Sequence, residues 1–315
     1  MGFAGAMVVA MLMDALLGWP DRLFARIGHP VTWLGTFIAA LDGRFNRSSD
    51  TSVQRRIAGT ATALIVIIVA AGSGCIVQRV IPSGLIGTIL LGILAWPLVA
   101  FRSLYDHVAA VRDTLRGENL EAARKAVSMI VGRDPQTLDE AGIARAAIES
   151  LAENASDGIV APVFWGALFG LPGIFAYKAI NTLDSMIGHR TERHEAFGWA
   201  AARIDDVANF IPARLTGLLF ALFAGNKRRS QAMSCMRTDA RHHRSVNAGW
   251  PEAAMAGALG VRLCGPRSYE GTPANEPWLN GDARNPAALD ITRGLELYVG
   301  AMFALTAVLA VIAFI

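Results

Sequence analysis

The chain has 315 residues, of which 53% are hydrophobic and 17% charged, with a formal net charge of +3. A water-soluble domain carries about a quarter charged residues. This chain has too few to cover a solvated surface, and its mean hydropathy of +0.38 agrees. That excludes a disordered chain, a coiled coil and an ordinary soluble enzyme. The near balance of 29 basic and 26 acidic residues excludes a nucleic-acid binder. Three cysteines, Cys75, Cys235 and Cys264, form no C-x-x-C pair and support neither a disulfide framework nor a zinc site. The composition is that of an integral membrane protein.

A helix needs about 20 apolar residues to cross a bilayer core. Residues 2–19, 57–77, 85–104 and 295–315 meet that requirement and are predicted to cross. The first has no basic leader and contains Asp14, which argues against a cleaved signal peptide. Residues 159–180 and 207–224 are apolar but irregular. The first is broken by Gly170-Leu171-Pro172-Gly173 and carries Lys178; the second contains Pro212 and Arg214. A charge at the bilayer centre costs at least about 2.5 kcal/mol, and a break frees backbone groups that lipid cannot satisfy. Both are therefore predicted to be broken or re-entrant helices packed inside protein, with two ordinary spans as the alternative.

The stretches 20–56, 105–158 and 225–294 hold six, six and ten Lys or Arg. By the positive-inside rule they face the cytoplasm, which places both termini outside a bacterial inner membrane and the active site on the cytoplasmic side. Amphipathic helices are expected over 113–131, ending at Gly132, and over 137–153, with Asp139 and Glu140 in the first turn. The expected fold is one polytopic, all-α integral membrane domain over 1–315. It has four transmembrane helices, two broken or re-entrant apolar helices and cytoplasmic helical loops.

Polar residues gather in four places. Glu149, Glu153 and Asp157 lie at i, i+4 and i+8, with Asn154 between them. On one helix face these charges repel, so Mg²⁺, an Arg or Lys, or a cationic substrate should compensate; otherwise this is a solvated helix end. Lys178, Asn181, Asp184 and Ser185 lie at the end of the first irregular segment, with Arg190 beyond. Asp205, Asp206 and Asn209 precede Arg214. Carboxylates of this kind, completed by substrate phosphates, hold Mg²⁺ in many proteins; mutual salt bridges are the plainer reading. Arg241, His242, Arg244, Ser245 and Asn247 can grip a phosphate or carboxylate, or draw a basic loop to anionic lipid. There is no P-loop, G-x-G-x-x-G, G-x-S-x-G or H-E-x-x-H.

The blocks ESLAENASDGIVAPVF (149–164), YKAINTLDSMIGHR (177–190), RIDDVANFIPAR (203–214) and RSVNAGWPEAAMAGAL (244–259) resemble the signatures of the CobD/CbiB family, adenosylcobinamide-phosphate synthases of cobalamin biosynthesis. The likeness extends to residues 14–35, with the His29-Pro30 pair, and so over nearly the whole chain. Val246 replaces the family's usual proline after Ser245, and Trp19-Pro20 replaces Asp-Pro after Gly18. The resemblance implies a membrane enzyme that joins the free propionate of adenosylcobyric acid to (R)-1-aminopropan-2-ol or its O-phosphate, with ATP as co-substrate and Mg²⁺ as cofactor.

That reaction suggests roles. Asp184, Asp205 and Asp206 are the candidates for Mg²⁺, with Asn181 and Asn209 orienting phosphate or metal-bound water. Lys178, Arg190 or Arg214 can stabilise the transferring phosphoryl group. Glu149 or Glu153 can hold the substrate ammonium and take its proton. Asn154, Asp157 and Ser185 are further substrate-binding candidates, and Arg241, His242, Arg244, Ser245 and Asn247 are candidates for the amine's phosphate. The expected partners are the lipid bilayer and these small molecules, with a homo-oligomer or a partner protein of the pathway also compatible. An intramembrane Mg²⁺-dependent prenyltransferase shares the paired aspartates but leaves the Arg-Ser-x-Asn-Ala-Gly block unexplained. A transporter calls for inverted repeats, and the sequence shows none.

Overall fold

The computed structural model describes residues 2–131, 135–189, 191–269, 272–274 and 276–314. In chain order its helices are α1 (Phe3–Leu17), α2 (Asp21–Ile27), α3 (Pro30–Phe45), α4 (Ser52–Val80) and α5 (Leu85–Ala95). Next come α6 (Phe101–Arg116), α7 (Leu120–Ser128), α8 (Glu140–Ala155), α9 (Ala161–Phe169) and α10 (Leu171–Leu183). The last are α11 (Trp199–Ala208), α12 (Phe210–Phe223), α13 (Asn226–Thr238), α14 (Gly249–Leu259) and α15 (Ala288–Phe314). The expected all-α fold is interrupted by four short strands, β1 (Leu263–Cys264), β2 (Arg267–Tyr269), β3 (Thr272–Ala274) and β4 (Trp278–Leu279). They pair antiparallel as β1 with β4 and β2 with β3.

Three helical runs, Ser52–Val80, Leu85–Arg116 and Ala288–Phe314, are long and apolar enough to cross a membrane. The number rises to five if two broken pairs, α1 with the helices up to Phe45 and α11 with α12, each count as one span. The four regular spans expected from sequence are thus not all found as such. The first fails alone because Gly18, at φ 58°, stops α1 after 15 residues. The third is interrupted by a 3₁₀ turn at Trp96–Leu98, where Pro97 has no N–H to donate. On α4, Ile57, Leu64, Ile68, Val69 and Ile76 are exposed. Such a surface is costly in water and natural in lipid, so these are the helices of a membrane-embedded protein.

Contacts divide the chain into two compact units. The first comprises Met1–Ala100, Ala161–Asn209 and Val308–Ile315; the second comprises Phe101–Val160 and Phe210–Ala307. In the first, α4 is the spine. Thr51 and Gln54 form a capping box at its start, and two glycines let backbone approach it closely. A Cβ at Gly59 would lie 1.8 Å from the Phe197 carbonyl oxygen, and one at Gly74 would lie 2.7 Å from Pro172 N. The break expected in 159–180 falls at Gly170, φ +69°. There α9 and α10 fold against each other, with Gly173 against the Trp165 carbonyl. The freed backbone is satisfied within protein, since Leu171 N–H donates to Gln78 Oε1 at 2.8 Å.

In the second unit α8 and α14 are the buried helices. Asp139 caps α8 by accepting from Gly142 N at 2.7 Å. Every residue of α14 except half-buried Trp250 is buried, and its Ala253, Ala254, Ala256 and Ala258 are small enough for α12 and α13 to pack closely. The single helix expected over 113–131 is two helices, α6 and α7. Gly117 and Glu118, the latter at φ 54°, break it, and Asn119 caps α7 through Ala122 N at 3.0 Å. Gly132 lies outside the described residues.

Candidate active site

Two turns of π-helix, Ser156–Val160 and Asp184–Gly188, fall inside two of the four polar blocks. One extra residue per turn re-aims side chains and leaves the α-helical ladder locally open, a distortion that recurs at functional sites. Residue spacing alone gives no sign of it.

In the first unit, α10 and its π turn divide their residues by environment. Ala179, Leu183 and Ile187 are buried in a cluster with Ile38, Ala63, Val66, Phe197 and Ala201. Lys178, Asn181, Asp184 and Ser185 keep access to solvent. Burial, the largest influence, holds the Asp184 carboxyl above the ordinary carboxylate range; nearby Asp206 adds to this and His189 opposes it. Asp184 and Asp206 are therefore near enough for their charges to interact. Asp206 also pairs with Arg203 at 3.0 Å.

Asp205, the next residue of α11, is oriented differently. Asn209 Nδ2 donates to Asp205 Oδ2 at 3.0 Å, and Tyr177 O–H donates to Asn209 Oδ1 at 2.8 Å. Both Tyr177 and Asn209 are 1% exposed. Asn209 thus orients Asp205 and does not itself face a ligand, while Tyr177, to which sequence reasoning gave no role, fixes Asn209. Ser185 Oγ donates to the Asn181 carbonyl at 2.9 Å. Arg190 lies outside the described residues. Beside these groups is an apolar cavity of about 750 Å³, walled by Trp165, Phe169, Tyr177, Ile180, Trp199 and Val207.

In the second unit the three acids of the first block do not share one environment. Glu149 is buried at 6% and accepts from Cys264 N at 2.7 Å. Glu153 is exposed, and Asp157 sits half-buried in the π turn. A single helix face of three carboxylates is not what forms, because the α-helix ends at Ala155. Asn154 donates to the Ser150 carbonyl at 2.9 Å.

The structure brings Arg214 and Asn247 together, with Arg214 donating to Asn247 Oδ1 at 3.3 Å. The guanidinium also lies over the rings of Phe210 and Trp250, 3.5 and 4.5 Å from their centroids. Ser245 serves the backbone, its Oγ accepting from Ala248 N at 3.1 Å just before α14. Arg241 and His242 are exposed in a short 3₁₀ turn. Exposed Arg244 pairs with Glu276 at 3.5 Å. Glu276 and Glu252, the latter only 3% exposed, carried no role in the sequence reading.

The profile of the CobD/CbiB protein family matches residues 7–298. The chain belongs to that family. Curated relatives agree along nearly their whole length. A protein of Rhodobacter capsulatus named cobalamin biosynthesis protein CobD is 59% identical over 99% of this chain and 98% of its own. Proteins of the same name from Brucella suis and Rhizobium meliloti are 49% and 45% identical, each over 95% of this chain and 93% and 94% of their own. No solved structure matches.

Proposed function

We propose that this protein acts in cobalamin biosynthesis as the ATP-dependent amide ligase that joins adenosylcobyric acid to (R)-1-aminopropan-2-ol or its O-phosphate. The observation that carries the reading is family membership over residues 7–298, in a chain where Asp184 lies near Asp206 and Asp205 is oriented through Asn209 and Tyr177.

A carboxylate and an amine do not condense unaided near neutral pH. Phosphoryl transfer from ATP converts the propionate to an acyl phosphate, and the neutral amine then displaces phosphate. Asp184, Asp205 and Asp206 would hold Mg²⁺ through oxygen atoms alone, the ligand type that ion takes, with ATP phosphates completing the set because the three carboxylates do not by themselves converge on one point. Mg²⁺ held there would supply charge neutralisation of the ATP phosphates. Lys178, six residues before Asp184 on α10, is the candidate to steady the transferring phosphoryl group. Asn181 orients phosphate oxygens.

In the second unit, exposed Glu153 is the better placed of the two glutamates to receive a substrate ammonium and accept its proton; buried Glu149 is occupied with Cys264 N. Arg244, with Arg241 and His242 nearby, is the group for the amine's phosphate. The apolar cavity suits a prenyl chain and is the one observation favouring a prenyltransferase; family membership and the basic block weigh against it.

The test is purified protein incubated with adenosylcobyric acid, ATP, Mg²⁺ and each amine, with products read by mass spectrometry. Formation of the amide with consumption of ATP supports the reading. Absence of amide with either amine, from folded protein, refutes it.

A further inference from the structure

Five chemically reactive side chains from separate stretches of sequence meet inside the second unit: Glu149 on α8, His243 before α14, Glu252 on α14, Cys264 on β1 and Glu276 before β4. The ligand atoms of Glu149, Glu252 and Cys264 all lie within 4.8 Å of one another, and those of His243, Cys264 and Glu276 do likewise. Cys264 Sγ is 3.1 Å from Glu252 Oε2, and His243 Nε2 is 3.7 Å from the same oxygen. A tetrahedral ion with metal–sulfur and metal–oxygen or –nitrogen bonds of about 2.3 and 2.1 Å sets neighbouring ligand atoms about 3.5 Å apart. The 3.1 Å sulfur–oxygen separation and the 4.8 Å limit on the Glu149, Glu252 and Cys264 set lie on either side of that value.

We propose that Glu149, Glu252 and Cys264 bind a thiolate-accepting divalent transition-metal ion of the Zn²⁺ class, with His243 holding Glu252 from outside the ligand set. The donor set of one thiolate sulfur and two carboxylate oxygens is wrong for Mg²⁺, which takes oxygen ligands alone, and suits a borderline-soft ion. The surroundings are those of a structural site. Glu149, Glu252 and Cys264 are 6%, 3% and 2% exposed, and buried carboxylates are held by counter-charges or metals. A supporting shell is in place as well. Ser245 N–H donates to His243 Nδ1 at 3.0 Å, which leaves the ring proton on Nε2, facing Glu252 Oε2 at 3.7 Å and steadying that carboxylate. The Cys264 N–H fixes Glu149 Oε1 at 2.7 Å. Binding releases the Cys264 thiol proton to solvent and ties α8, α14 and β1 together. Arg244 stays outside the shell, paired with Glu276.

The test uses full-length protein in detergent, with any polyhistidine tag removed and metals stripped by chelator. Titration with Co²⁺ should produce a thiolate-to-metal charge-transfer band that saturates near one ion per chain and that Zn²⁺ abolishes. A variant in which Cys75→Ala and Cys235→Ala are combined should keep the band. Cys264→Ser should lose it, and His243→Gln should weaken Co²⁺ binding at least about tenfold. Asp184→Asn should leave the band unchanged, so this site stands or falls apart from the Mg²⁺ reading. No band in the wild-type titration overturns the proposal, whether or not the Cys264 variant folds. A band that survives Cys264→Ser, or that vanishes with Cys75 and Cys235, also overturns it.

Discussion

Gly188 closes the π turn that carries Asp184, and replacing it tests the site without touching any group given a chemical role. A Cβ at this position would lie 2.0 Å from Asp184 Oδ1 and 2.8 Å from its Cγ, where ordinary contact begins at 3.4 Å. In Gly188→Ala the carboxylate must therefore retreat by about 1.4 Å, and a misplacement of about 1 Å in such a constellation costs roughly a hundredfold in rate. The fold should absorb the change. Alanine is favoured over glycine in a helix by up to about 1 kcal/mol, which offsets part of an overpacking cost of about 1–3 kcal/mol. The expected result is a melting temperature in detergent within a few degrees of wild type, with kcat/KM for amide formation down about a hundredfold and a raised Mg²⁺ requirement. Melting and size-exclusion profiles establish folding; product is read by mass spectrometry across a Mg²⁺ series. Activity within about threefold of wild type, with unchanged Mg²⁺ dependence, would show that the position of Asp184 is immaterial to the reaction and sink the argument.

Asp184→Asn should lower amide formation at least about a hundredfold while melting no lower than wild type at neutral pH. The folded protein holds this carboxyl's pKa above its ordinary value, so its contribution to stability is greatest below that value and is lost as pH rises through the raised one. The asparagine removes that loss, and a variant that melts well below wild type at neutral pH contradicts the sign. Tyr177→Phe leaves the buried Asn209 Oδ1 without its donor, which should cost about 1–3 kcal/mol and raise the Mg²⁺ requirement as Asp205 loosens; unchanged melting and Mg²⁺ dependence count against the chain of contacts. Arg244→Ala should raise KM for the phosphorylated amine about ten- to a hundredfold, the worth of a charge-assisted pair, and leave KM for adenosylcobyric acid nearly unchanged. Equal effects on the phosphorylated and free amines return Arg244 to a surface role. A cysteine replacing exposed Glu195 should resist an impermeant thiol reagent in intact cells and react in inverted vesicles, as a cytoplasmic 181–206 segment requires. Native Cys235 adds little background there, since burial pushes its thiol up to about 11.

The membrane character, the break at Gly170 and the blocks that hold the polar residues are local properties, and sequence alone determined them. Apolar runs, Gly-Pro breaks and charged clusters each act through neighbouring residues, so their signal survives without a fold. The four blocks likewise sufficed to place the chain in its family. What sequence spacing misjudged depends on helix register and on partners far along the chain. The i, i+4, i+8 pattern of Glu149, Glu153 and Asp157 promised one acidic face, but α8 ends in a π turn and packing buries Glu149 against Cys264. Asn209 read as a group orienting phosphate or metal-bound water, and spacing gave no sign that it also braces Asp205 and is itself fixed by Tyr177, 32 residues away. Ser245 read as a phosphate donor and is spent on the turn before α14. Cys264 shows the limit most plainly. With no C-x-x-C pair it gave no metal signal, and only the packing of α8, α14 and the β1–β4 ribbon sets its sulfur among Glu149, His243, Glu252 and Glu276. Hydropathy and motif are written along the chain, whereas coordination and burial are relations between distant residues, and folding alone creates them.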